Sequence, residues 1–258
     1  MASLSAHGLE GLPEVRAGDD LAELIAAAVG ERPIAEGTLV VVAHKAVSKS
    51  EGAVVSLAGV HPSRRARELA ERMALADGAA MKDAREIEVV LEQSAELLRA
   101  ERGVLICRTH HGFVCANAGV DASNVPGEEK LVLLPKDPDA SARRIRSGLR
   151  ARLGVAPAVM ITDSFGRTWR HGQLDVAIGL AGMQPLDDWR GRTDSHGLQL
   201  RATWLAIADA AAACADLARA KDSREPVVLV EGLARFTMPE DGPGAAALRR
   251  PPEEDLFR

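Results

Sequence analysis

The chain has 258 residues, nearly half of them apolar, and a formal net charge of -5. Such a length can bury a full core in one large domain or two small ones, and the apolar content excludes a disordered chain. The acidic balance removes any general electrostatic reason to bind nucleic acid or an acidic membrane, so an anion site must be local; three cysteines in so long a chain are no disulfide framework.

The opening segment "MASLSAHGLEGLPEVRAGDD" has no basic stretch followed by an apolar one, so no signal peptide is expected. "GDDLAELIAAAVG" predicts a helix capped by Asp19 or Asp20, with Leu21, Leu24, Ile25 and Ala28 on one face. Leu39 to Ala43 form a buried strand that runs into a polar turn, "HKAVSKSEG". "PSRRARELAERMALADG" and "DAREIEVVLEQSAELLRAERG" predict two amphipathic helices, the second burying Ile87, Val90, Leu91 and Leu98 and ending at Gly103. "GVLICRTHHGFVCANAGVDASN" predicts a β-hairpin with its tip near His111-Gly112, followed by a loop. Next come a short strand "LVLLP", a helix "DPDASARRIRSGLRARLG" with Pro138 near its first turn, and strands "APAVMITDS" and "DVAIGLAG". "LQLRATWLAIADAAAACADLARAK" is expected to be mostly helical; its Asp209 and Asp216 exclude a membrane span. "EPVVLVEGL" is a last strand, and the tail should be partly extended, packed by Leu256 and Phe257. A soluble cytoplasmic protein is expected, with strands and helices mixed in no strict alternation. "GxGxxG" and "GxxxxGK[ST]" are absent.

Two oxygen-rich segments could carry chemistry. "NAGVDASNVPG" places Asn117, Asp121, Ser123 and Asn124 close together, which suits Mg²⁺ or Mn²⁺, although an Asx-turn loop would use the same residues to cap its own backbone. In "ITDSFGRTWRHG", Asp163 and Ser164 follow a strand, at the edge where α/β proteins often bind ligands, and Arg167 and Arg170 could hold phosphate or carboxylate; a solvated hairpin is the alternative. In "CRTHHGFVC" the spacing does not match a structural zinc site, and a hairpin with a polar tip explains it better. Lys49 lies just beyond a buried strand, within reach of an anion.

These segments together resemble the coenzyme F420-0:L-glutamate ligase family, the F420 gamma-glutamyl ligases. The likeness rests on "EGLPEVRAGDDLAELI", "VVVAHKAVSKSEG", "HGFVCANAGVDASNVPG", "LVLLPKDPDASARRIRSGLR", "ITDSFGRTWRHGQLDVAIGLAG", "GRTD" and "RRPPEEDLFR", and spans nearly all of residues 10 to 258. It implies an unusual mixed α/β, α+β-like fold with mixed sheets: one unit over residues 1–258 of two interleaved subdomains, in an intertwined homodimer with the active site near the subunit interface. The implied activity is GTP-dependent addition of L-glutamate to the lactyl-phosphate end of coenzyme F420-0 through an acyl phosphate, releasing GDP and phosphate. Mg²⁺ or Mn²⁺, as a pair of ions, and a potassium ion are the implied cofactors.

Residue by residue, the resemblance implies that Asp121 and Asp163 bind the first metal and Ser164 the second. Leu12, Pro13, Glu14 and Val15 match a nucleotide-binding turn, and Asn124, Lys49 and Lys221 match further nucleotide contacts. His44 stands at a nucleotide contact where similar proteins often have Ser. Trp204 and Ala210 stand, in a predicted helix, where Glu is common, and "RAK" (219–221) replaces an "MGK"-like loop. Those departures keep two alternatives open: a GTP-dependent amide ligase for another phosphorylated acid, and a nucleotide- or F420-binding protein with reduced catalysis. A nucleic-acid module built on "RTWRH" is disfavoured by so small a basic footprint.

Overall fold

The computed structural model describes residues 3–77, 82–123, 127, 129–220 and 222–255. After the short strand β1 (Ser5–Gly8), helix α1 (Leu21–Val29) starts at Asp20, whose carboxylate accepts from the Ala22 and Glu23 N–H groups. Strand β2 (Leu39–Ala43) is apolar along its whole length and covered on both faces. The polar turn expected after it is instead a helix, α2 (His44–Ser50). No side chain caps its start; burial of Ala46 and Val47 in the core holds a helix too short to persist on propensity alone.

Beyond strand β3 (Val54–Ser56), helix α3 (Arg64–Asp77) follows the expected amphipathic segment, but the next expectation needs correcting. Helix α4 (Ala84–Glu92), capped by Asp83, stops at Glu92, and Ser94–Glu101 is a strand, β4. It pairs antiparallel with β5 (Val104–Thr109) across Arg102 and Gly103, which have φ of 51° and 71°. Two consecutive left-handed residues suit a tight hairpin turn, so Gly103 reverses a strand and does not end a helix. Leu98, placed on the buried helix face by its spacing, is exposed. Strand β6 (Val114–Ala116) completes the expected hairpin around Gly112 and sets Cys115 directly opposite Cys107. Strand β7 (Lys130–Val132) pairs with β3.

Helix α5 (Pro138–Leu153) has Asp137 as its cap, Pro in its first turn and a left-handed Gly154 at its end. Strands β8 (Ala158–Arg167) and β9 (Arg170–Ala181) form a long hairpin. Strand β10 (Asp187–Asp188) pairs with β11 (Trp204–Leu205), so Trp204 lies in a ribbon and not in a helix. Helix α6 (Ile207–Ala218) begins only after that pairing ends, and β12 (Val227–Glu231) is the last strand.

The architecture is mixed α/β. Its main sheet has the order β1-β12-β2-β8-β9, parallel only between β2 and β8. Period-two alternation sends Val40, Val42, Val159 and Ile161 against Leu21 and Ile25 of α1 and Ile145 and Leu149 of α5. Val41, Met160 and Val228 face the other way, onto Ala208 and Ala212 of α6. Each fully buried aliphatic side chain contributes about 1.5–3 kcal/mol. A separate core joins Leu69 and Met73 of α3 and Ile87 and Val90 of α4 to Leu105 and Cys107 of β5.

Polar clasps hold the C-terminal segment. The buried Arg146 donates to the carbonyls of Met238 (3.0 Å) and Pro239 (2.9 Å) and to Asp241 Oδ1 (2.8 Å). Asp139 accepts from the N–H groups of Leu180 and Ala245, each at 2.8 Å. Leu256 and Phe257, expected to pack the tail, lie outside the described residues. Among the described residues no helix is long and apolar enough to cross a membrane.

Candidate active site

Helix α2 gathers most of the residues singled out in the sequence. It leaves the end of β2 beside β8, so its first residues face the end of the parallel strand pair, the usual location of α/β ligand sites. His44 Nε2 lies 3.2 Å from Asp163 Oδ1. That approach is misaligned for a hydrogen bond, and both ring nitrogens of this buried imidazole lack a hydrogen-bond partner among the described residues. The next residue, Lys45, places Nζ 2.6 Å from Asp121 Oδ2 and 2.6 Å from Ser123 Oγ. Consecutive Cα atoms are about 3.8 Å apart, so the carboxylates of Asp121 and Asp163, 42 residues apart by numbering, each approach one of two neighbouring positions of one helix. At the end of α2, Lys49 Nζ lies 2.6 Å from Glu14 Oε1, and the Gly18 N–H donates to the Ser50 carbonyl at 2.9 Å. The Leu12 to Val15 turn is thereby brought to Lys49, with Val15 buried and Leu12 packed on the core.

The electrostatics follow from these contacts. Burial opposes the charge on Asp121, but the Lys45 ammonium and the Ser123 N–H and hydroxyl outweigh it and hold the carboxyl below its ordinary value. The Asp121 backbone exchanges two hydrogen bonds with Val132 (3.1 and 2.8 Å), which fixes the start of this loop. Asp163 Oδ1 accepts from the Ser164 N–H at 2.8 Å. Burial, and next the Asp163 charge, push the Cys115 thiol up to about 12.

Strand alternation puts Ser164 on the face of β8 opposite Asp163. There its hydroxyl donates to Asp175 Oδ1 at 2.6 Å, while Thr162 donates to Asp175 Oδ2 at 2.9 Å. Arg219, just past the end of α6, pairs with the same carboxylate and donates to Thr162 Oγ1 at 3.0 Å. Asp175 is only 1% exposed. Sequence reading missed Asp175 and Lys45. A lone acidic residue before the apolar run "VAIGLA" was the available signal for Asp175; for Lys45 none existed, because its partners are remote in sequence.

Arg167 and Arg170 pair at the tip of the β8–β9 hairpin, both exposed, with Arg167 Nη2 donating to the His171 carbonyl at 2.6 Å. At about 3.3 Å per residue, Arg167 lies roughly 13 Å along the strand from Asp163. Between the arginines, Trp169 is 81% exposed with φ of 61°. Asn117 Oδ1 is occupied by Lys82 Nζ (3.0 Å) and the Leu105 N–H (3.3 Å). Trp204 stacks under Arg190, 4.0 Å from its guanidinium carbon, and Ala210 is an exposed position of α6. Asn124 and Lys221 lie outside the described residues.

Among the described residues no three His, Cys, Asp or Glu side chains cluster as a ready-made metal cage. Two carboxylates from separate elements instead fit Mg²⁺ or Mn²⁺, which take a few protein oxygens and complete their shells with water and phosphate. The orphaned His44 ring beside Asp163, and an ammonium already standing at Asp121, support that fit.

The family model described as F420-0:Gamma-glutamyl ligase matches residues 11–232. A protein of Methanothermobacter thermautotrophicus named Coenzyme F420:L-glutamate ligase is 40% identical over 258 residues, covering 99% of each chain. Proteins of the same name are 41% identical in Methanopyrus kandleri, over all of both chains, and 44% identical in Halobacterium salinarum, over 88% of this chain and 86% of that one.

Proposed function

The chain belongs to the F420-0:gamma-glutamyl ligase family, and on that premise we propose that it joins L-glutamate to coenzyme F420-0 with GTP as phosphoryl donor, working as a cytoplasmic homodimer. The observation that carries this reading is the whole-chain similarity to relatives named Coenzyme F420:L-glutamate ligase. The convergence of Asp121, Asp163, Lys49 and the Leu12 to Val15 turn on α2 supports it.

In the proposed reaction the γ-phosphoryl group of GTP passes to the carboxylate of F420-0, and GDP leaves. The amine of L-glutamate then attacks the acyl carbon; phosphate departs with the bonding pair, the amine loses a proton, and an amide forms. Transfer between anions demands alignment and neutralisation more than a protein nucleophile. Bound Mg²⁺ or Mn²⁺ supplies Lewis-acid neutralisation of the phosphates. Asp121 and Asp163 would hold the first ion. Ser164, whose hydroxyl donates to Asp175, would contribute an oxygen to the second. The Leu12 to Val15 turn, His44, Lys49, Asn124 and Lys221 would bind the nucleotide. Arg167 and Arg170 would hold acidic groups of the substrates, and in a homodimer with its site near the subunit boundary the exposed hairpin tip would reach that site. We assign no residue to potassium.

The test is incubation with F420-0, L-glutamate, Mn²⁺ and either GTP or ATP, followed by mass spectrometry of the cofactor. A product heavier by one or more glutamyl units, formed with GTP and not with ATP, is expected. Asp163→Asn should be at least ~100-fold slower. The carboxylate-free Trp204 and Ala210 favour the second reading, another acid as acceptor. GTP-dependent release of phosphate with other phosphorylated acids, and none with F420-0, would establish that reading instead.

A further inference from the structure

Lys45 has no role in the reaction proposed above, yet its ammonium is tethered twice to the loop that carries Asp121. Its ammonium bridges Asp121 Oδ2 and Ser123 Oγ at 2.6 Å each, while Asp121 Oδ1 accepts from the Ser123 N–H at 2.7 Å. Three of the four groups in this ring come from the loop expected to ligate metal, and the fourth comes from the helix that also faces Asp163. An ammonium hydrogen-bonded to a carboxylate and a hydroxyl occupies a place that a small oxygen-seeking dication would take, and the two cannot share the same lone pairs.

We infer that Lys45 is an internal counter-ion that a divalent metal must displace from Asp121. The ammonium keeps the loop assembled, and it opposes metal both by occupying the ligand and by charge repulsion. Metal entry is then favoured when anionic phosphates arrive with it, since these supply the negative charge that lets the ammonium move aside. Lys45 is on this account a positioning residue that couples metal binding to the nucleotide. This inference rests on the metal reading of Asp121.

The test measures Mn²⁺ affinity without substrates, by the electron paramagnetic resonance signal of free Mn²⁺ titrated with protein. The Asp121–Lys45 pair is partly exposed, so its competition is modest: Lys45→Met should bind Mn²⁺ about threefold to tenfold more tightly than the parent. Lys45→Gln carries the same expectation, should the Met variant fail to fold. Lys45→Arg keeps the charge and should match the parent. Unchanged or weaker binding in the folded neutral variants overturns the inference. Asp121→Asn separates the two claims. If it leaves Mn²⁺ binding intact, the metal reading of Asp121 itself is wrong; if it weakens binding while the Lys45 variants change nothing, only the counter-ion role fails.

Discussion

At the scale of single residues, the side chains that matter here are defined by their partners. Cys115 carries a testable consequence. Its thiol stands at about 12 against an ordinary 9.0, because burial and then Asp163 disfavour the thiolate. In the unfolded chain it ionises near 9, so its contribution to stability is fully present below that pH and is lost as pH rises toward 12, by at most about 1.4 kcal/mol per pH unit. Denaturant melts at pH 8 and pH 11 should show the parent losing more stability than Cys115→Ala. Equal losses would mean that the thiol is freely ionisable in the fold. The residue-level chemistry was only partly legible. Asp121 and Asp163 are candidates because they stand in oxygen-rich segments, and Lys49 because it lies just beyond a buried strand. Lys45 is not among them, because only the fold brings it within 2.6 Å of Asp121.

At the scale of elements, the β8–β9 hairpin is anchored by charge as well as by its ladder. Thr162 and Ser164 on one strand, Asp175 on the other and Arg219 beyond α6 form one buried network. Asp175→Ala would leave the Arg219 guanidinium without its buried carboxylate, a change that costs about 3–5 kcal/mol. Urea unfolding measures it, and a loss below about 1 kcal/mol would show that the network does not hold the hairpin. Most elements could be read directly: α1 from its Asp cap, α5 from Pro138 near its first turn, β2 and β8 from their apolar runs. One element that could not was β4. Its Leu98 continues the spacing of Ile87, Val90 and Leu91 in α4, and only pairing with β5 selects the strand. For α2 the difficulty was opposite: its polar residues suggest a turn, and tertiary burial makes it a helix.

At the scale of the whole molecule, the mixed α/β class was legible from the interleaving of strand-like and helix-like segments, and the strand order was not, since apart from the β8–β9 hairpin neighbours in the main sheet are remote in sequence. The parallel register of Leu39 with Ala158 has a kinetic consequence. Joining these strands closes a loop holding α3, α4 and the sheet β4-β5-β6, all built from contacts close in sequence. Closure entropy grows with the length of flexible chain enclosed, and local contacts form first. The enclosed sheet should therefore acquire structure early and shorten the chain that remains to be closed. Pulse-labelled hydrogen exchange during refolding should protect the amides of β4 and β5 before those of β2 and β8. Protection of β2 and β8 first would instead mean that the central sheet collapses around an unstructured insert. On the expected order, assembly of helix α2, which leads from β2 into the enclosed segment, is among the last events of folding. Substitutions that weaken the insert would then slow the appearance of activity after refolding more than they lower the activity finally reached.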